Sequence, residues 1–227
     1  MVATLIAVFW MLGAAGPARA QEDAGAELLR PLSVDLRRLY PQLASRWDVA
    51  ETRRYDRTKR GFEPSAGFLA APDSPRASIP AEAGGTLSIR QGRLRVEQRL
   101  LGTRAAPAVA EGGLIRFRGA YPHTEALYVA DAASVEQLFL LADPRAPTRF
   151  VSDVRVSGGR LSAEADGALA VYDEREEPAM RLSPPVVLDA HGRRRRGEWN
   201  VRPGRPGAYT VTLSFDPAGL EYPLLID

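Results

Sequence analysis

The chain contains no cysteine, so a disulfide framework and every form of thiolate chemistry, catalytic or metal-binding, are closed to it. Lysine is almost as scarce: Lys59 is the only one, and the rest of the basic charge is arginine. Two histidines occur, His123 and His191, each in a turn-like context and neither with a second histidine at metal-ligand spacing, which removes the usual zinc patterns. Solvated or locally hydrogen-bonded roles are expected for both. A Gly-x-Ser-x-Gly elbow, a phosphate loop and a Gly-x-Gly-x-x-Gly turn are all missing, so nucleophile-elbow hydrolysis and nucleotide binding have no support. Charge of one sign is also lacking. The formal net charge is only +2, and long-range steering of a charged partner is weak.

No apolar run is long enough to span a bilayer as a helix. The longest, Leu5 to Gly13, is followed by Gly16-Pro17-Ala18-Arg19-Ala20, small residues at the positions a signal peptidase reads. Cleavage is expected between Ala20 and Gln21, giving an exported protein: secreted, surface-bound or periplasmic in a bacterium. Losing Arg19 leaves 29 basic against 28 acidic residues in the mature chain. Absence of cysteine in an exported chain fits a bacterial protein stabilised by core area alone.

What is present reads as three regions: a signal peptide over 1–20, a helical and irregular arm over 21–83, and a β domain over 84–227. In the arm, Leu28, Leu29, Leu36, Leu39 and Tyr40 have near-helical spacing, broken by Pro31 and closed by Pro41. Residues 47 to 83 carry mixed charge and prolines with little periodicity. From Gly84 onward short β-rich runs recur between turn signals, at Thr86–Gln91, Arg93–Leu101, Leu114–Arg118, Ala126–Val129, Val135–Leu141 and Phe150–Val156. The series continues with Ala168–Tyr172, Met180–Leu182, Val186–Leu188, Tyr209–Phe215 and Leu224–Ile226. Tyr209, Val211, Leu213 and Phe215 alternate with Thr210, Thr212 and Ser214, a strand with one buried side. The fold class is therefore mainly β, a β-sandwich or rolled antiparallel sheets with a short N-terminal helical segment.

Three clusters are candidates for chemistry. Arg193 to Arg196 is the densest basic run, but one nearby Trp199 does not make a nucleic-acid groove, and a charged hairpin edge is expected. Asp173-Glu174-Arg175-Glu176-Glu177 could furnish carboxylates for calcium or glycoside hydrolysis, yet adjacent residues rarely face each other across a cleft, and a soluble hairpin tip is expected. Trp47, Trp199, Tyr121 and Tyr128 are the candidate ligand-contact aromatics, weighed against burial in the core.

Several segments in succession resemble the N-terminal β domain of large bacterial secreted or surface repeat proteins of the Rhs and YD-repeat, wall-associated kind. They are Arg118-Gly119-Ala120-Tyr121-Pro122, Val135 to Leu140, Asp143-Pro144-Arg145-Ala146-Pro147, Leu182 to Gly192, and Leu213 to Asp227. The resemblance covers roughly Gly112 to Asp227 and departs from the family where His123 replaces a Gly and Glu125 an Asp. It implies a non-enzymatic structural head, with the downstream repeats of the same polypeptide or a surface partner as its contact, and it brings no catalytic residue, cofactor or metal. The alternatives are an independent extracellular module binding carbohydrate or protein, and a carboxylate-dependent hydrolase.

Overall fold

Strands are present from Tyr55 onward, ahead of the Gly84 boundary that composition suggests, so the stretch read as an irregular arm is in part strand. The computed structural model describes residues 3–5, 36, 40, 53–65, 75–130 and 134–227. An N-terminal backbone strand, β1 (Ala3–Leu5), is followed by β2 (Tyr55–Thr58), β3 (Gly61–Pro64) and β4 (Arg76–Pro80). The last three escape a periodicity reading because each has only four or five residues and two end in proline. Phe62, Ala77 and Ile79 nevertheless bury themselves in the common core.

Most of the remaining strands fall on the runs read from the sequence, whereas Ala108–Glu111, Gly159–Ala163, Arg194–Arg196 and Glu198–Pro203 do not. First in order are β5 (Thr86–Gln91), β6 (Leu94–Leu101), β7 (Ala108–Glu111), β8 (Leu114–Tyr121) and β9 (Thr124–Ala130). Next come β10 (Val135–Leu141), β11 (Arg149–Ser157), β12 (Gly159–Ala163), β13 (Leu169–Asp173) and β14 (Pro178–Leu182). The chain closes with β15 (Val186–Leu188), β16 (Arg194–Arg196), β17 (Glu198–Pro203), β18 (Ala208–Ser214) and β19 (Leu224–Ile226). Val135 to Leu141, whose apolar run is compatible with a helix, is a strand bonded along its whole length to β9.

Three sheets result. One has eight strands in the order β17-β18-β11-β6-β5-β4-β3-β2, one seven in the order β16-β15-β19-β10-β9-β8-β7, and one four in the order β1-β14-β13-β12. Among the described residues every strand pairing is antiparallel except that of β1 with β14. The two large sheets meet through inward residues of alternate register, such as Leu87, Ile89, Val154, Val211 and Leu213 on one side and Val135, Phe139 and Leu141 on the other. Phe139 stacks on Phe150 across this interface at 4.2 Å, and Tyr121 meets Phe139 and Phe150 edge-on at 6.1 and 5.1 Å.

The central strands of the seven-stranded sheet are buried on both faces, since Leu127, Val129, Leu138, Leu188 and Leu225 on its other side are no more exposed than Phe139. Leu36 and Tyr40 contribute wholly buried side chains to the same core. Leu36 is helical, and Tyr40 N–H donates to Leu36 O at 2.7 Å. The other helical-spacing residues, Leu28, Leu29 and Leu39, lie outside the described residues.

Two glycines let the chain change sheets. At Gly159, entering β12 from β11, a Cβ would stand 2.1 Å from Tyr172 O and 2.9 Å from Leu94 Cδ1. At Gly197, between β16 of one large sheet and β17 of the other, it would press on Ser214 O at 3.1 Å and on Pro185.

Candidate functional site

Of the aromatics proposed as stacking platforms, Tyr121 and Tyr128 are buried and Trp199 is half-buried. Tyr121 is 5 % exposed and its hydroxyl donates to Leu101 O at 3.0 Å; burial pushes its pKa up to about 12. Tyr128 is 3 % exposed, edge-on to Phe117, and accepts from Gln137 Nε2 at 2.5 Å. Burial raises its pKa far above the ordinary phenol value, with the neighbouring Tyr121 adding to the rise and the Gln137 bond opposing it. Trp199 is half-buried, its indole N–H donating to Ser183 O at 2.9 Å. Tyr121 and Tyr128 are thus packed in the core, while Trp199 is anchored by its polar atom with its ring half-buried. Trp47, Ala20 and Gln21 lie outside the described residues.

Where the three sheets meet, a narrow cavity of about 60 Å³ is walled by apolar side chains including Leu161, Val171, Leu182 and Trp199, with Asp227 at its margin. Beside it a polar ladder crosses the sandwich. Gln98 of β6 donates from Nε2 to Ser152 Oγ of β11 and to Gln137 Oε1 of β10, both at 3.1 Å, and Gln137 passes the chain on to Tyr128.

The arginine run is an edge strand, in keeping with its charge. Among the described residues β16 pairs only with β15, at the margin of the seven-stranded sheet, and two arginines of the run are paired with nearby acids. Arg193 Nε donates to Asp189 Oδ2 at 2.5 Å and its NH2 to Glu221 Oε1 at 3.0 Å, while Arg195 NH1 meets Asp216 Oδ2 at 2.8 Å. Asp189, wholly buried, also accepts the backbone N–H groups of His191, Arg193 and Glu221 at 2.8, 2.9 and 3.1 Å. Burial alone would raise its pKa, but these donors outweigh it and hold the carboxyl below the usual range.

Both histidines are held by acids: His123 Nδ1 lies 3.0 Å from Asp143 Oδ2 and His191 Nε2 2.5 Å from Glu221 Oε2. Asp143 is in turn clamped by the Arg145 side chain and backbone N–H, which depress its pKa strongly. Glu125, at the position where the resembled family carries Asp, grips Arg116 with two bonds of 2.6 and 2.8 Å. In the acidic stretch, Asp173 Oδ1 accepts from the N–H groups of Arg175 and Glu177 at 2.8 and 3.0 Å, and Glu176 is ion-paired with Arg160. This is a self-satisfied hairpin tip between β13 and β14. Among the described residues, no group of three or more His, Asp or Glu side chains is placed to hold a metal ion.

The outer face of the eight-stranded sheet is the surface that sequence reasoning misses. Its register sets Arg76, Arg90, Arg95 and Ser157 side by side in one row across four strands. The next row is Ser78, Ser88, Glu97, Arg155 and Ala208, and the one after it Thr86, Arg99, Asp153, Thr210 and Arg202. Thr86, Glu97, Arg99, Asp153 and Arg155 enclose a shallow depression of about 180 Å³. Arg99 is paired with Asp153 at 3.0 Å and Arg95 with Glu97; among the described residues Arg76, Arg90, Arg155 and Arg202 have no acidic partner. The signal lies in the alternation of β5, β6 and β11, each with charge on the side opposite its aliphatic residues, but only the strand order brings the arginines together.

No protein-family model, no curated protein and no solved structure matches the chain.

Proposed function

We propose that this chain is a non-enzymatic exported head domain whose work is structural: it presents and anchors the repeats that continue from it in a larger bacterial surface protein. The observation that carries this reading is where the resembling segments sit. Val135 to Leu140, Leu182 to Gly192 and Leu213 to Asp227 lie far apart in sequence, yet β10 and β15 flank β19 directly. Phe139 and Val187 both stand opposite Ile226, and Leu140 and Leu188 opposite Leu225. Asp227 then exchanges backbone bonds with Val186 at 3.2 and 3.3 Å. A strand bonded on both sides within a sheet is held by its neighbours along both edges, which suits a load-bearing domain. The candidate polar groups support the same reading, because Asp189, Asp143, Glu125 and Asp173 are all engaged in holding turns or neighbouring arginines.

The test is the mass of the native exported polypeptide, with both termini sequenced. A chain beginning at Gln21 and running on past Asp227 into repeats is expected. A native polypeptide ending at Asp227 overturns the head-domain reading.

A further inference from the structure

We propose that the outer face of the eight-stranded sheet binds a linear acidic polysaccharide, a glycan chain bearing carboxylates at regular intervals. The first ground is the arginine row itself. Arg76 and Arg90 are direct cross-strand neighbours without an acidic partner among the described residues, Arg95 stands opposite Arg90 with its charge shared with Glu97, and like charges directly opposite one another oppose folding. Adjacent strands lie about 4.8 Å apart, so the row spreads its guanidinium groups over roughly 10 Å. A single small anion would meet one or two of them; a chain of regularly spaced anions meets the row and removes the repulsion. The guanidinium fork suits carboxylate in two-point contacts.

The second ground is the depression beside the row. Its wall pairs donors, Arg99 and Arg155, with acceptors, Glu97 and Asp153, and adds the Thr86 hydroxyl, a mixture that fits the hydroxyls of a sugar ring as well as its charge. Small hydroxyl residues, Ser78, Ser88 and Ser157, separate the long side chains and keep the face open. Two polar atoms here, Arg95 Nε and Ser88 Oγ, are shielded by their neighbours and make no hydrogen bond within the chain.

Other polyanionic surfaces fit less well. A single-stranded nucleic acid calls for exposed aromatic platforms, and among the described residues the rings of this sheet are buried, as Phe62 and Phe150 are, or half-buried and tied through their polar atoms, as Tyr55, Trp199 and Tyr209 are. A membrane surface calls for exposed apolar side chains, and among the described residues the one large exposed hydrophobe, Val109, belongs to the other large sheet. The proposal goes beyond the head-domain reading and does not rest on it, since the length of the native polypeptide decides that reading separately.

The experiment measures binding of the full exported chain to polygalacturonate, to the same polymer after methyl esterification, and to single-stranded DNA of equal charge. Binding to polygalacturonate that is lost on esterification is expected, with affinity falling roughly tenfold in the Arg76→Ser/Arg90→Ser double variant as two charge-assisted contacts go. An Arg194→Ser variant, altered in the other basic run, should bind as the parent does. The double variant should unfold no earlier than the parent, because it removes like-charge neighbours; Arg155→Ser, in the depression, supplies an independent loss of affinity by the same assay. Equal binding to the esterified polymer, unchanged affinity in both arginine variants, or tighter binding to DNA than to polygalacturonate overturns the proposal.

Discussion

Four donors converge on the Asp189 carboxylate, three backbone N–H groups and one guanidinium, and together they tie the turn after β15 to the approach of β19. Because the side chain is wholly buried, removing it leaves those N–H groups without a partner that water can easily replace. Asp189→Ala should therefore cost about 2–3 kcal/mol in urea denaturation, more than a surface charge deletion would. The folded pKa lies below the unfolded value, so the ionised carboxylate stabilises the fold at all pH above the ordinary carboxyl pKa of about 3.9, and that stability is lost as pH falls through the lower folded value. In Asp189→Ala the acid limb of the stability profile should be shallower than in the parent. An unchanged limb would mean that other carboxylates, Asp143 among them, set the acid sensitivity. Little of this is legible in the sequence: Asp-Ala-His-Gly reads as a turn, but nothing local says that Glu221 returns to donate its N–H to the same carboxylate.

At the scale of the strand, alternation locates the elements well where one side is buried and poorly where both or neither are. Val211 and Leu213 mark β18 correctly, whereas Thr212, expected on the open side, is buried between its cross-strand neighbours Val151 and Asn200. β2 to β4 leave no trace in the pattern because such short, charged strands, two of them closed by proline, give no period to detect. β19 is visible as a strand but not as a central one. With Leu224, Leu225 and Ile226 fully buried, Leu225→Ala should cost about 2–5 kcal/mol, a core-sized loss measurable as a fall in the urea midpoint. A loss under about 1 kcal/mol would instead mark β19 as a dispensable edge. The arginine row makes the opposite prediction. Arg90 stands between Arg76 and Arg95, so Arg90→Thr, which keeps a good strand residue, should raise stability by about 0.2–1 kcal/mol, with the gain shrinking as salt is added.

For the molecule as a whole, two large sheets must be kept in one register although apolar contact alone tolerates sliding. The aromatic group of Tyr121, Phe139 and Phe150 fixes one part of the interface. The ladder Ser152, Gln98, Gln137, Tyr128, half-buried at its two amides, fixes another, and hydrogen bonds are directional in a way that Leu and Val contacts are not. Sequence pattern alone does not reveal the ladder, since Gln98 and Gln137 look like ordinary outward positions and become partners only when β6 and β10 are brought face to face. If the ladder is one cooperative unit, removing either amide strands the other. Gln98→Leu leaves Gln137 Oε1 and Ser152 without their donor, and Gln137→Leu leaves Gln98 and Tyr128 each short of a partner. Each single substitution should cost about 1–3 kcal/mol, while the double should cost less than the sum, with a coupling energy of about 0.5–3 kcal/mol. Urea unfolding of the four proteins in the cycle measures that coupling directly. Strict additivity would show that the two amides act independently and that register between the sheets rests on the aromatic contacts alone.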